Sequence, residues 1–240
     1  MQFFIGLHHA NHGDSFPRAC ISINELRRRL KKPLKCKILV DSAAFTELAK
    51  HGSYRHSVAD YANELRRLHN FLDIEAAVAQ DYMCEPFMLA KTGLTIADHQ
   101  RLTIERYDAL VAERLPFPIM PVLQGYQPAE YVAHIEAYGD RLKPDMWVGV
   151  GSVCKRNGKP EAILAVLRAI KAVRPDLRLH GFGVKRISLE NEAVRELLHS
   201  SDSMAWSFAA RYEGRDANSV DEALAYAKIV EDICARPLAA

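Results

Sequence analysis

The feature that most constrains this chain is a repeated local pattern. A short apolar segment ends on a carboxylate, an amide or a glycine, and a helical stretch follows. Ile38-Leu39-Val40 runs into Asp41, Ala76 to Ala79 into Gln80-Asp81, Ile119 to Leu123 into Gln124-Gly125, and Trp147-Val148 into Gly149-Val150-Gly151. Phe3 to Leu7 opens the series; segments 178–184 (with Phe182 and Gly183) and 203–207 close it. Apolar runs of this length bounded by turns read as buried parallel strands, and helices between them make βαβ units. Seven strands, one short of eight, and no Gly-x-Gly-x-x-Gly after the first favour an α/β fold of the TIM-like (β/α) barrel kind, with an irregular or missing strand, over a doubly wound sheet. With no linker, repeat or low-complexity tract, the 240 residues read as one domain, 1–240.

Helices are expected at 22–30, 58–72, 95–114, 128–138, 160–174, 187–199 and 219–234. Ser22 with Glu25 three residues on suggests a capping box, and Tyr61, Leu65, Leu68 and Leu72 form one apolar stripe. A formal net charge of +2 says little about partners. Five cysteines at wide intervals, with no Cys-x-x-Cys, exclude a disulfide framework and a zinc-knuckle spacing. No apolar stretch reaches membrane-span length and no export signal opens the chain, so a soluble, cytoplasmic protein without membrane partners is expected.

If the strands are parallel, Asp41, Asp81, Gln124, Gly151, Lys185 and Asp202 gather at one end of the barrel, where such folds place their chemistry. Carboxylates there suit acid–base or nucleophilic catalysis; alternatively, each caps the helix that follows. Gln124 offers a donor and an acceptor to an amide-like edge, and Phe45 and Phe182 can sandwich a planar heterocycle. Adjacent residues on a strand face opposite sides, so His8 and His9 cannot enter the barrel together as a metal pair. No metal or cofactor is expected, and His8 reads as a substrate or phosphate contact. The run Arg27, Arg28, Arg29, Lys31, Lys32 reads as a solvated helix face. The strand-end pairs Lys155/Arg156 and Lys185/Arg186 are better placed for nucleic-acid phosphates.

These segments carry a resemblance. Asp41-Ser42-Ala43-Ala44-Phe45 resembles the Asp-Ser-Gly-Gly-aromatic signature of the tRNA-guanine transglycosylases, and Val122-Leu123-Gln124-Gly125 their Val-Gln-Gly-Gly strand. The chain is more similar to the compact DpdA-type proteins of phages and bacteria that put 7-deazaguanines into DNA. Segments 4–9, 80–87, 123–126, 148–156, 180–185 and 201–207 match that group, covering most of the chain. The resemblance implies a TIM barrel that exchanges guanine through a covalent glycosyl-enzyme intermediate. Asp202 then looks like the nucleophile at the sugar C1′ and Asp41 like the general acid/base. Asp81, Gln124, Gly125 and the Gly149–Gly151 backbone look like readers of the base edge, beside Gly183. The implied partners are DNA and a free 7-deazaguanine such as the cyano or aminomethyl form, with room for accessory proteins that remodel DNA.

Two departures bear on this. The Cys-x-Cys-x-x-Cys…His zinc site of the tRNA enzymes has no counterpart, so a zinc-binding subdomain is not expected and DNA is favoured over tRNA. Their Asp-x-x-Asp segment has Ala205 at its second acidic position, leaving Asp202 as nucleophile, with Asp41 as the fallback. A metal-dependent barrel hydrolase using His8, His12, His180 and Asp202, and a non-catalytic nucleic-acid-binding relative, are the readings from other classes.

Overall fold

The computed structural model describes residues 1–28, 32–156 and 159–237, without the side chain of Lys155. Its strands are β1 (Gln2–Leu7), β2 (Arg18–Ser22), β3 (Lys37–Asp41), β4 (Asp73–Val78), β5 (Ile119–Met120), β6 (Val122–Leu123), β7 (Trp147–Val150), β8 (Arg178–Gly181) and β9 (Ser200–Ser203). All pair in parallel, in the order β5-β4-β3-β2-β1-β9-β8-β7-β6. The two ends of that order are separated in sequence only by Pro121. Ala79 N–H donates to Met120 O on one side, while Gly149 N–H and Gly151 N–H donate to Pro121 O and Leu123 O on the other. Segment 119–123 thus serves both edges, and the sheet returns on itself as a nearly closed barrel. Counted once, that segment gives the eight strands of a TIM barrel.

The strand missing from the sequence reading is β2. Its apolar content is only Ala19-Cys20-Ile21, and Ser22 reads as a helix start. Ser22 is both the last residue of β2 and a cap; its Oγ accepts from Asn24 N–H at 3.3 Å rather than through a capping box. The helix it opens, α1, is one turn (Ile23–Leu26), not 22–30; Arg29 and Lys31 of the basic run lie outside the described residues. The closing strand is also displaced. Ser200–Ser203 is the strand; Met204 precedes a following helix over Ala205–Tyr212, which buries Trp206.

The intervening helices are α2 (Ala44–His51), α3 (Val58–His69), α4 (Pro86–Thr92), α5 (Ile96–Ala112), α6 (Pro128–Tyr138), α7 (Pro160–Val173), α8 (Arg186–Leu189) and α9 (Glu192–Leu197). The Ala205–Tyr212 helix is α10, and α11 spans Val220–Cys234. Ser57 with Asp60, and Thr95 with Asp98, close reciprocal capping boxes on α3 and α5, each stabilising its helix by about 1 kcal/mol. The stripe Tyr61, Leu65, Leu68 and Leu72 is buried as expected. The region 187–199 divides into α8 and α9, with Asn191 capping the second through Val194 N–H.

Strand alternation separates two cores. Ile38 and Val40 face the helices, while Leu39 faces the barrel interior with Phe4, Cys20, Ala76, Val78, Met120 and Val122. This apolar plug fills the lower barrel, so the polar residues at the strands' carboxyl ends are stacked above a dry floor. Among the described residues no helix is long and apolar enough to cross a membrane.

Candidate active site

A cavity of about 1050 Å³ opens above the plug. Asp41, Asp81, Gln124, Gly151, Asp202, Phe45, Phe182, Gly183 and His8 all line it. Nine expected site residues from seven parts of the chain therefore meet at one place. The reason is topological: parallel strands put every carboxyl end on the same side.

Asp202 stands on β9 opposite Phe4 of β1. Its Oδ1 accepts Gly183 N–H at 3.0 Å and lies 3.3 Å from His180 Nε2. Gly183 has φ +62°, a left-handed conformation that turns its N–H toward β9, and an added Cβ would lie 2.8 Å from that of Cys154. Glycine is required there on both counts. No described group hydrogen-bonds Oδ2 of Asp202, and the residue lines the cavity.

Asp41 ends β3, and its Oδ2 accepts Ala43 N–H at 2.9 Å. Burial raises its pKa to about 6 against that hydrogen bond, and the nearby Asp202 charge adds to the rise. Asp81 is buried deeper. Gln124 donates from Nε2 to its Oδ2, and Ser42 from Oγ to its Oδ1 at 3.2 Å. Burial and the charge on Asp41 nevertheless raise it to about 7. One carboxylate therefore has a donor-held oxygen and an open one, while two others are poised to exchange protons near neutrality.

Gln124 is fixed from every side. Because Asp81 takes its NH₂ group, its Oε1 faces Ser152 Oγ at 2.7 Å. Its backbone N–H donates to His134 Nδ1 at 2.9 Å, which leaves His134 Nε2 as the donor to Gln100 O at 3.2 Å. Burial lowers His134 to about 4, so it stays neutral in that tautomer. A Cβ on Gly151 would lie 2.1 Å from Gln124 Nε2, so this amide can pass only over a glycine.

Gly149 and Gly151 spend their N–H groups on the barrel ladder, and Gly151 O accepts from Tyr131 OH at 2.8 Å. What they give the site is room, Gly149 for the Phe182 ring and Gly151 for Gln124. Gly125 packs against the first turn of α6, outside the cavity wall. His8 bonds Ser207 Oγ at 2.8 Å through Nε2, and burial lowers its pKa. Phe45 is 46% exposed at the mouth and meets Phe87 edge-on at 6.1 Å.

The cationic residues are distributed differently from expectation. Arg156 lies over the Tyr126 ring and donates to Ser152 O; Lys185 lies over Phe208; Arg186 is beside Glu190. None of these three lines the cavity, and the Lys155 side chain lies outside the described residues. Arg27, Arg28, Lys50 and Arg55 line it instead. Arg55 is committed to the buried Glu47, whose carboxyl its hydrogen bonds hold down at about 2. The sequence signal for Arg27 and Arg28 was present as a charge run, but only the one-turn α1 aims it at the mouth.

Sequence reasoning also missed what supports Asp81 and Gln124, namely Ser42 and Tyr54 around the first, and His134 and Ser152 around the second. Tyr54 OH donates to Asp81 O at 2.9 Å. These residues lie far apart in sequence and show no pattern. Among the described residues no three His, Cys, Asp or Glu side chains are grouped as metal ligands. His12 packs against His9, away from the cavity.

No curated protein matches the chain. The model of the family described as DpdA, DeoxyPurine in DNA protein A, matches residues 15–228. That is most of the chain, and the chain belongs to this family.

Proposed function

We propose that this cavity exchanges guanine in DNA for a free 7-deazaguanine through a covalent glycosyl-aspartate intermediate. Family membership implies 7-deazapurine modification of DNA, and the site supplies a mechanism for it. The observation that carries the reading is the pairing of Asp202, with one oxygen held and one open, with Asp41, whose pKa is raised to about 6.

In the first half-reaction Asp202 Oδ2 attacks C1′ and forms a C1′–O bond as the bond from C1′ to the guanine nitrogen breaks. Protonated Asp41 gives its proton to the leaving base, without which guanine is a poor leaving group. In the second, the incoming deazaguanine gives a proton to Asp41 and its ring nitrogen attacks C1′, releasing Asp202. Charge develops on the sugar ring as in glycoside hydrolysis, where a carboxylate beside the oxocarbenium centre supplies the stabilisation.

Asp81 and Gln124 read the base edge. Gln124 is held by Asp81 and Ser152 in one orientation, so it presents a fixed pattern rather than adapting. Phe182 and Phe45 are the stacking walls. The nucleotide must leave its stack to reach this depth; its flanking phosphates then meet Arg27, Arg28 and Lys50 at the mouth, and the strand beyond is met by Arg156, Lys185 and Arg186, which lie outside the cavity. His8, bonded to Ser207 at the wall, contacts the sugar or a phosphate.

The test is base exchange with guanine-labelled DNA and, in parallel, guanine-labelled tRNA, each with excess cyano- or aminomethyl-deazaguanine. Loss of label from DNA with a new deazaguanine nucleoside by mass spectrometry is the expected result, and loss only from tRNA would overturn the substrate assignment. Asp202→Ala should lower exchange by about a thousandfold or more, as removal of a covalent nucleophile does. Undiminished exchange in that variant would remove Asp202 as nucleophile.

A further inference from the structure

His180 is completely buried on β8. Phe4, Trp147 and Phe182 surround its ring at centroid distances of 6.0, 5.9 and 4.7 Å. It is a polar ring in the wall of an otherwise apolar plug, and both its nitrogens are engaged. Nδ1 lies 2.9 Å from Ser200 Oγ, and Nε2 lies 3.3 Å from Asp202 Oδ1. Ser200 Oγ also receives Trp147 Nε1–H at 2.7 Å.

Donor chemistry assigns the hydrogens. A carboxylate oxygen can only accept, so the hydrogen between His180 and Asp202 sits on Nε2; Nδ1 then accepts from the Ser200 O–H, while Trp147 N–H occupies one of the two Ser200 lone pairs. The opposite tautomer would set an imidazole lone pair against a carboxylate oxygen, an arrangement with no hydrogen in it.

We infer that Trp147, Ser200 and His180 form a directional relay that positions Asp202, with His180 Nε2–H and Gly183 N–H clamping Oδ1 so that Oδ2 points at the reacting sugar carbon. This rests on the reading of Asp202 as nucleophile. His180 is a positioning residue: it touches Asp202 and not the substrate. The same ring supports the edge of Phe182, so one buried side chain sets both the nucleophile and a stacking wall.

The test separates a donor to Asp202 from a merely structural link to Ser200. His180→Gln places an amide N–H near the Nε2 position, whereas His180→Asn can reach only the Ser200 side. His180→Asn and His180→Phe should lower kcat for exchange by about 10- to 100-fold, the range for losing a hydrogen bond to a charged reacting group. KM for the free deazaguanine should stay within about threefold. His180→Gln should recover most of the rate, and Trp147→Phe, which removes the N–H that orients the Ser200 hydroxyl, should lose about 3- to 10-fold. Thermal unfolding of each variant checks that the fold is retained. Asn equal to or better than Gln, or all variants exchanging at the wild-type rate, would overturn the relay. A wild-type protein that exchanges base but traps no Asp202 adduct would overturn the nucleophile reading instead.

Discussion

Asp81 is a buried carboxyl group that the fold holds at a disadvantage once ionised, and removing its charge should stabilise the protein in a pH-dependent way. The perturbation is Asp81→Asn. Its pKa rises from 3.8 to about 7 through burial and the Asp41 charge, a shift of about 3 units, or about 4 kcal/mol at 1.36 kcal/mol per unit. The sign follows from linkage. Between about pH 4 and about pH 7 the folded protein holds a proton that the unfolded chain has released, so wild-type stability falls as pH rises through that window and stays low above it. Asparagine carries no such charge. Its carbonyl can still accept from Gln124, and its NH₂ can donate to Ser42 Oγ, so the network is kept.

The variant should match the wild type near pH 4 and exceed it by about 2–4 kcal/mol near pH 8. For a chain of this size that corresponds to a rise of roughly 5–15 °C in Tm. Urea denaturation at constant ionic strength across this range measures it directly. A difference that does not change with pH, or an Asn variant less stable near pH 8, would refute the reasoning. The gain in stability should come with impaired base recognition, the usual trade at a site whose charges serve substrate rather than fold.

Asp41 should set the alkaline limb of guanine release. The proton it gives to the leaving guanine is lost above about pH 6, so guanine release should fall as pH rises past that point; Asp41→Asn should keep base binding, lose turnover and lose that limb, as a pH–rate profile would show. Gly151→Ala puts a Cβ 2.1 Å from Gln124 Nε2; displacing the amide should raise KM for deazaguanine about tenfold and cost about 1–3 kcal/mol of stability. Arg28→Glu and Lys50→Glu should each weaken DNA binding about 3- to 10-fold at low salt and flatten its salt dependence. Affinity for the free base should stay within about twofold. Titrations at two ionic strengths test this, and unchanged DNA binding would remove that rim from the contact.

The barrel was legible because each strand is a short apolar run closed by a polar residue, a pattern set by burial on both faces of a parallel sheet. The same pattern put Asp41, Asp81 and Gln124 at strand ends and hence in one cavity. It failed where side-chain chemistry departs from the rule. β2 has only three apolar residues, and β9 is a Ser-Ser-Asp-Ser strand whose buried hydroxyls are satisfied by Gly181 O, His180, Trp147 and Tyr226. Met204-Ala205-Trp206 supplied an apolar signal that belongs to the start of α10 and the residue before it.

What the sequence determined by itself was which residue types stand at the ends of which strands, since local periodicity and turn residues fix that much. Only the tertiary structure decided how those groups behave. The raised pKa values of Asp41 and Asp81 come from burial, with the Asp202 charge adding to the first and the Asp41 charge to the second. The orientation of the Gln124 amide comes from Asp81 and Ser152, and the clamp on Asp202 from a glycine turn and a buried histidine. Electrostatic and hydrogen-bond energies depend on distance in space and on exclusion of water, and neither is written in the spacing of residues along a chain.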